Sequence, residues 1–245
     1  MNRATVTVTG AGVMGSQISQ VFAVHGFQVR VHDVSSGQLE TAKDRIENGR
    51  FGVAAAVSKG RMTESDAAAA LARLSYHTDL EQACEGAALI QEAVPEDIGL
   101  KVRVFRALDS AAPADAILVS NTASLPVTGL AYATDRPHLV FGWHWFQPCV
   151  AMKCAELVVH PAVDSAALTA VRDIATQCGK NVVVVNDGGS APGFVANRIS
   201  YAIRREADLI VAEQVASTDQ VDAIMRDAFR WPMGPFELRG QSTLG

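Results

Sequence analysis

The sequence has few aromatic residues, few cysteines and no long apolar run. Aromatic residues make up 6% of its 245 residues, charged residues 19% and hydrophobic residues 49%. No apolar run reaches the roughly 18 residues that a membrane-spanning helix requires. The composition therefore predicts a soluble globular protein, and we expect no membrane partner.

The cysteines are too sparse for a disulfide framework. Cys84, Cys149, Cys154 and Cys178 include no Cys-x-x-Cys pair, so we expect reduced thiols and no metal site. The first residues run directly into a strand-like segment without the pattern of a signal peptide. Together these features predict a cytoplasmic protein.

Basic charge is also in deficit. Lys and Arg number 21 against 26 Asp and Glu, which gives a net charge of −5 and a pI near 5.7. This balance argues against nucleic acid as the main partner, although a local basic patch could still hold an anionic ligand. The length allows one large domain or two modest ones, and we favour two unequal domains.

A glycine-rich segment near the start has the spacing of a dinucleotide-binding loop. Apolar residues alternate with threonines over residues 4–9, and helical spacing follows as far as Gly26. Between the two lie Gly10, Gly12 and Gly15 in a G-x-G-x-x-G pattern, with Val13 and Met14 inside it. Glycines at this spacing permit a tight turn and close approach of the backbone to a pyrophosphate, so these five residues are candidate cofactor contacts.

Asp33 ends the next predicted strand, about twenty residues after the loop. A carboxylate at this point accepts hydrogen bonds from the adenosine ribose and repels a 2′-phosphate. We therefore predict NAD rather than NADP as the cofactor, although Arg30 and His32 lie close by. The alternative is that the glycines serve turns and that Asp33 caps the following helix.

The rest of the chain predicts alternating helices and strands. Helices are expected over residues 35–57 and 63–74 and in "EDIGLKVRVFRALDSAA", and strands in the segments "FQVRVHD", 75–77, 88–91, 116–120, "HLVFGWHWF", "AELVVH" and "NVVVVND". After "NDGGSAPG" only helices are expected. The fold class is therefore α/β: a Rossmann-type, doubly wound, mostly parallel sheet over residues 1–187, then a smaller all-helical domain over 188–245.

Polar residues stand at the ends of several of these strands. Glu92, Ser120, Asn121 and His144 each follow or end a buried strand, and ligands of such sheets bind at the carboxyl ends of the strands. Histidine is the side chain best suited to exchange a proton near neutral pH. Glu156, on the next strand, could return beside His144 and orient its ring. The residue types alone fit a core histidine equally well.

The chain resembles the L-3-hydroxyacyl-CoA dehydrogenase family in six ordered motifs: "GAGVMGSQIS", "QEAVPED", "SNTASLPVT", "GWHWFQPCVAMKCAELV", "PGFVANR" and "PMGPFEL". The resemblance implies NAD-dependent interconversion of a 3-hydroxyacyl-CoA and a 3-ketoacyl-CoA. It also implies that His144 is the catalytic base, that Glu156 orients it, and that Asn197 helps to place the substrate. Glu92, Lys101 and Asn121 are implied near the cofactor, and Ser120 and Asn121 near the substrate.

The sequence departs from the family pattern at three places. Ala123 stands where the family usually has a serine that contacts the substrate, and Gln147 stands where an asparagine is common. Ser120 or Ser124 could replace the missing hydroxyl. The family also continues past "PMGPFEL" with helices that complete the second domain, so this domain is expected to be minimal or the sequence truncated. We expect a homodimer that covers the apolar face of the helix over residues 194–215.

Other functions stay open at this point. A dehydrogenase of a free hydroxy acid, such as gulonate or carnitine, usually has a proline directly after the histidine, whereas Trp145 follows it here. A catalytically weak NAD-binding or structural protein is also compatible with Ala123. Arg50, Lys59 and Arg61 form the best local basic cluster for the phosphates of coenzyme A, or else a solvated face.

Overall fold

An eight-stranded sheet forms the centre of the first of two units, Met1–Gly188 and Gly189–Gly245. The structure, a computed structural model, describes residues 4–188 and 193–242. The strands are β1 (Thr5–Thr9), β2 (Gln28–His32), β3 (Leu74–His77), β4 (Ala87–Glu92), β5 (Ile117–Ser120), β6 (Val140–Trp145), β7 (Cys154–Val159) and β8 (Asn181–Asn186). Their order is β3-β2-β1-β4-β5-β6-β7-β8. Only the β6–β7 pair is antiparallel among these strands, so the predicted mostly parallel sheet is confirmed.

Helices cover both faces of the sheet. Those of the first unit are α1 (Val13–Val24), α2 (Ser36–Asn48), α3 (Val53–Ser58), α4 (Glu64–Leu71), α5 (Leu80–Cys84), α6 (Ile98–Ala111), α7 (Val127–Ala131) and α8 (Ser165–Gln177), and Pro137–Leu139 forms a 3-10 turn. Ile90 and Leu118 pack against Phe105 of α6 on one face. Phe22 of α1 meets Trp143 and Trp145 edge-on at 5.6 and 5.5 Å between ring centroids on the other.

One row of residues crosses the sheet at the carboxyl ends of its strands. His77, His32, Thr9, Glu92 and Ser120 follow one another as register partners on neighbouring strands, and we call them the edge row. Register partners project from the same face of a sheet. Glu92 shares its face with Ile90, two residues earlier, so the row lies on the face that α6 covers.

Two helix predictions were wrong in part. The single helix expected over residues 35–57 is two helices, α2 and α3, with a break between Asn48 and Val53. Gly49 adopts an extended backbone there, and a Cβ at Gly49 would lie 2.5 Å from the Arg45 carbonyl oxygen. The helix expected to reach Leu74 ends at Leu71, and Leu74 begins β3.

Helix α8 was not predicted, although its sequence carries the signals of a helix. Asp164 caps it by accepting hydrogen bonds from the backbone N–H groups of Ala166 and Ala167 at 2.6 and 3.1 Å. Buried Ala167, Val171 and Ala175 follow at intervals of four residues, which is the spacing of one helix face. The short helices α5 and α7 were also missed.

The second unit is helical in its described part, with α9 (Ala196–Ala212), α10 (Thr218–Phe229) and α11 (Pro235–Ser242). Ser217 and Gln220 form a reciprocal capping box at the start of α10. The buried carboxylate of Asp222 accepts hydrogen bonds from the backbone N–H groups of Phe236 and Glu237 at 2.9 and 3.0 Å. It thereby joins α10 to the first turn of α11.

Neither a membrane helix nor a metal cluster occurs in the parts described. Within residues 4–188 and 193–242, no helix is long and apolar enough to cross a membrane. The same residues contain no group of three or more His, Cys, Asp or Glu side chains arranged to hold a metal ion. The four cysteines are thiols.

Candidate active site

The glycine-rich loop forms one wall of a cavity of about 680 Å³ at the carboxyl edge of the sheet. Gly10 adopts φ +99°, and a Cβ at this residue would lie 2.6 Å from the Ala93 carbonyl oxygen. A Cβ at Gly12 would meet nothing within 4 Å, and Gly12 lines the cavity together with Val13 and Met14. Gly10 is therefore required by the fold, whereas Gly12 leaves room for a ligand.

Asp33 is held beside this loop by two backbone amides. Its Oδ2 accepts a hydrogen bond from Ala11 N at 2.9 Å, and its Oδ1 accepts one from Ser35 N at 3.0 Å. The carboxylate is half-buried and lines the cavity. Since each carboxylate oxygen has two lone pairs, both can still accept a ribose hydroxyl.

These features fit a dinucleotide. The first backbone N–H groups of α1 have no partner within their helix, and no side chain caps Gly12, so they favour an anion such as a pyrophosphate. Asp33 stands at the distance along the chain where the ribose acceptor belongs. Gly10, Gly12, Val13, Met14 and Asp33 all line one cavity, as expected for cofactor contacts. Gly15 instead packs its Cα against the carbonyl of Gly10.

Glu92, Lys101 and Ser120 form a fully buried polar cluster rather than a cavity wall. Glu92 Oε1 accepts from Lys101 Nζ at 2.6 Å, and Glu92 Oε2 accepts from Ser120 Oγ at 2.5 Å. The three side chains are 0–1% exposed. Burial raises the pKa of Glu92, against the lowering effect of Lys101 and Ser120. In this conformation the cluster joins β4, β5 and α6, and none of its members offers a surface to a ligand.

Glu96 is the polar residue of this region that the sequence interpretation missed. Its Oε1 accepts hydrogen bonds from Thr122 Oγ1 at 2.6 Å, Ala123 N at 2.9 Å and Ser124 Oγ at 3.2 Å. Partial burial acts to raise the pKa of Glu96, but the hydrogen bond from Thr122 and the charge of Lys101 outweigh it and hold the pKa below its usual value. Glu96 lines the cavity and fixes the loop that carries Ala123. Its place in "QEAVPED", four residues after the end of β4, was the available signal.

Asn121 connects the cavity to the strand of His144. It lines the cavity, and its Oδ1 accepts a hydrogen bond from the backbone N of Trp145 at 2.9 Å. Its own backbone N donates to the Glu92 carbonyl oxygen at 2.8 Å. The residue after His144 is thus positioned from the cavity wall.

His144 and Glu156 are brought together as register partners on the antiparallel strands β6 and β7. His144 Nδ1 lies 2.7 Å from Glu156 Oε2, and the two residues are only 4% and 3% exposed. The ring also packs on Phe146, with 4.4 Å between ring centroids. A carboxylate on Nδ1 fixes the tautomer and orientation of the imidazole and stabilises its protonated form.

Asn197 belongs to the second unit. It lies in the first turn of α9 and is half-buried. Gly193 precedes it with φ +83°, and a Cβ at Gly193 would lie 2.9 Å from the Cβ of Asn197. The glycine of "PGFVANR" therefore permits the turn that presents Asn197.

A second cavity, of about 380 Å³, is lined by basic residues of the first unit. Its lining includes Arg50, Lys59, Arg61, Lys153 and Lys180, and it has no acidic residue in its described lining. Lys180 Nζ lies 5.0 Å from the centre of the Trp145 ring and donates to the carbonyl oxygens of Cys149 and Met152. The three cations of the sequence cluster therefore share one cavity with two more, next to the strand of His144.

Residues 5–188 match the family described as 3-hydroxyacyl-CoA dehydrogenase, NAD binding domain, and residues 193–245 match the C-terminal domain of the same family. The chain belongs to the 3-hydroxyacyl-CoA dehydrogenase family. This confirms the resemblance, and the NAD-binding domain confirms NAD as the cofactor.

Relatives and solved structures agree with this assignment. The "Probable 3-hydroxybutyryl-CoA dehydrogenase" of Bacillus subtilis is 37% identical over 233 residues, which cover 95% of this chain and 79% of the relative. The 3-hydroxyadipyl-CoA dehydrogenase of Escherichia coli is 34% identical, and the match covers 97% of this chain but 49% of the relative. The crystal structure of (S)-3-hydroxybutyryl-CoA dehydrogenase from Ralstonia eutropha superposes with a TM-score of 0.89 at 31% identity, over 95% of this chain and 80% of that one.

Proposed function

We propose that this 3-hydroxyacyl-CoA dehydrogenase oxidises an L-3-hydroxyacyl-CoA to the 3-ketoacyl-CoA reversibly, with His144 as the general base. The observation that carries the proposal is the buried 2.7 Å contact between His144 Nδ1 and Glu156 Oε2. Such a pair holds an imidazole in the tautomer that accepts a proton through its other nitrogen. Bound NAD supplies the acceptor for the hydride that leaves the substrate carbon.

The proton of the substrate hydroxyl goes to His144 in this mechanism. As the hydride leaves, the hydroxyl becomes more acidic, and Nε2 of His144 takes its proton. The imidazolium that forms is stabilised by the negative charge of Glu156 at 2.7 Å. In the reverse direction the same nitrogen returns the proton. Asn121, by holding Trp145 N, keeps β6 in place beside the cavity.

Asn197 is proposed to place the substrate, and the second unit to contribute this one polar group to the reaction. It lies in the first turn of α9 and is half-buried, so its amide is partly accessible to a ligand. An amide can donate to the substrate carbonyl and accept from its hydroxyl. Residues 1–187 are accordingly proposed as the NAD-binding domain, and 188–245 as the substrate and dimerisation domain.

The basic cavity supports a coenzyme A thioester over a free hydroxy acid. Coenzyme A carries several phosphate charges and an apolar adenine ring, and the cavity offers five cations beside exposed Val150 and Met152. Charge-assisted contacts from Arg and Lys are the usual partners of phosphates. A free hydroxy acid has no phosphates for these cations to bind.

The test compares substrates and variants in one assay. NADH oxidation is measured with acetoacetyl-CoA, free acetoacetate and gulonate-type keto acids. We expect turnover with acetoacetyl-CoA alone, and a rise in KM of at least about tenfold in Arg61→Ala with an unchanged kcat. Arg106→Ala, which removes an exposed cation outside the cavity, is the control. Faster turnover of a free acid contradicts the proposal, and binding of NADH without any turnover points to a catalytically weak homologue.

We also propose a cytoplasmic homodimer. The cysteines are thiols, and the relatives include bacterial proteins, although those from pig, rat and mouse are named as mitochondrial. On α9 and α10, Ile199, Leu209 and Phe229 are 56, 46 and 66% exposed. Apolar side chains of this size on helices are usually covered by a partner.

A further inference from the structure

Two buried polar atoms at the cofactor cavity have no hydrogen-bond partner in the described structure. They are Thr9 Oγ1 and His32 Nδ1, in residues that are 3% and 5% exposed. An unpaired buried polar atom typically costs about 1–3 kcal/mol, so each needs an explanation. Neither residue is used by the mechanism above.

The two residues are neighbours in the edge row and line the same cavity. Thr9 and His32 are register partners on β1 and β2, so their side chains project side by side from one face of the sheet. Both line the cavity that also contains Asp33 and the glycine-rich loop. Both atoms are covered in this conformation, so each side chain has to turn about χ1 to reach a ligand in the cavity.

Apolar side chains make up much of the lining of this cavity, which suits an apolar ring. Its other lining side chains beside Thr9 and His32 include Val34, Val94, Pro95, Leu100 and Val104. Leu100 and Val104 lie one turn apart on α6, which covers this face. Asp33, the ribose acceptor, stands at the same end of the cavity, directly after His32. The base attached to that ribose would therefore lie close to Thr9 and His32.

The hydrogen-bonding roles of the two atoms differ. Burial lowers the pKa of His32, and this outweighs the raising effects of Asp33, the Thr78 backbone and Asp79; His77 lowers it further. The ring is therefore neutral near pH 7. A neutral imidazole has one accepting nitrogen, and Nδ1, which has no partner in the described structure, can take that role. The Thr9 hydroxyl can donate.

We propose that Thr9 and His32 recognise the adenine base of the cofactor through the ring edge that carries the 6-amino group. The amino group donates to His32 Nδ1, and the Thr9 hydroxyl donates to the neighbouring ring nitrogen. Adenine, the base of the cofactor, presents an amino donor and a ring-nitrogen acceptor side by side in this order. Hypoxanthine replaces the amino donor with a carbonyl acceptor, which would face Nδ1 and leave both acceptors unsatisfied.

The experiment measures binding rather than turnover, with NADH and reduced nicotinamide hypoxanthine dinucleotide as the two probes. Dissociation constants are obtained by isothermal titration for the wild type, Thr9→Val and His32→Leu. We expect the wild type to prefer NADH by at least about tenfold, the size of one well-placed hydrogen bond lost. Each variant is expected to weaken NADH and to bring the preference to within about threefold.

The chain offers matched controls for both variants. Ser19 Oγ and Tyr76 Oη are also buried without a partner in the described structure, but neither residue lines the cavity. Ser19→Ala and Tyr76→Phe should keep the full preference for NADH. Thr9→Val keeps the volume of the side chain. If His32→Leu lowers the melting temperature, the NADH preference of Thr9→Val is therefore the measurement that tests the proposal.

The inference rests on the proposed function only through NAD binding, and the two fail in different ways. A wild type that binds both dinucleotides equally, or variants that keep the preference, overturns the adenine contact while leaving the dehydrogenase intact. In that case an enclosed water bridges Thr9 and His32. A wild type that binds neither dinucleotide overturns the proposed function itself.

Discussion

At the scale of single residues, substitutions of His144 and Glu156 test the proposed proton transfer. In His144→Gln no group can take the hydroxyl proton, and we expect kcat to fall by roughly 10²–10⁴-fold, the usual contribution of a positioned base. Glu156→Gln should lose most of the same activity, because the amide no longer fixes the tautomer. Stopped-flow turnover and NADH titration check this. Turnover near the wild-type level in His144→Gln would falsify the assignment of the base, whereas NADH affinity should stay unchanged in both.

Asp33 should determine the choice between the two dinucleotides. In Asp33→Ala the ribose loses its acceptor, and the 2′-phosphate is no longer repelled. We expect NADH to bind at least about tenfold more weakly while NADPH improves relative to it. Asp79→Ala is the control, since Asp79 follows the next strand, β3, and caps α5. A wild type that already prefers NADPH contradicts this view of Asp33.

Ala123 lacks the hydroxyl of the serine that the family usually has at this position, and neither Ser120 nor Ser124 replaces it in this structure. Ser120 Oγ donates to Glu92 at 2.5 Å, and Ser124 Oγ donates to Glu96 at 3.2 Å. A donor placed on developing charge is typically worth roughly 10²–10³-fold in rate. We therefore expect Ala123→Ser to raise kcat/KM on 3-hydroxybutyryl-CoA by at least about tenfold. Ser124→Ala should have little effect, and an unchanged rate in Ala123→Ser would mean that water or another group already serves.

At the scale of elements, two glycines in the loop between β1 and α1 have different roles. Gly10 is needed for the fold, and Gly12 leaves room for the cofactor. Gly10→Ala places a Cβ at φ +99° and 2.6 Å from the Ala93 oxygen, so stability should fall by at least about 1–3 kcal/mol. Gly12→Ala meets no protein atom within 4 Å and should melt like the wild type. Its NADH affinity should nevertheless fall by at least about tenfold, because the methyl group enters the cavity. Calorimetry and NADH titration distinguish the two, and equal melting temperatures would contradict the reading of Gly10.

Most elements could be predicted from the sequence because their periodicity is strong. The eight strands were all foreseen, since buried parallel strands are short apolar runs between turn signals. The break between α2 and α3 was not predicted. Gly49 and Gly52 lie in an otherwise helical pattern, and a helix can tolerate single glycines, so they did not mark its end. Helix α8 was missed because alanine makes most of its buried face.

The candidate site was predictable where it depends on strand ends and less so where it depends on loops. His144 and Glu156 could be paired because neighbouring strands place them in register. Glu92 and Lys101 were expected beside the cofactor, yet they are fully buried. The sequence alone does not tell which carboxylate of "QEAVPED" faces the cavity. Glu96 is the one that lines the cavity.

At the scale of the whole molecule, the exposed apolar side chains of the second unit should control assembly. We expect light scattering to give twice the 26.0 kDa chain mass. Phe229→Glu, which charges a side chain that is 66% exposed, should shift the protein toward monomer, whereas Val34→Glu, at an exposed apolar residue of the first unit, should not. A wild-type monomer at micromolar concentration contradicts the proposed dimer.

The antiparallel pairing of β6 with β7 has a consequence for how this family can change by insertion and deletion. Side chains along a strand alternate between faces, so a slip of β7 by one residue would turn Glu156 away from His144 and bring Leu157 into its place. β7 is also paired along its length with β8, which resists such a slip. The connection between Trp145 and Cys154 can therefore vary in length during evolution while the contact between His144 and Glu156 is inherited unchanged.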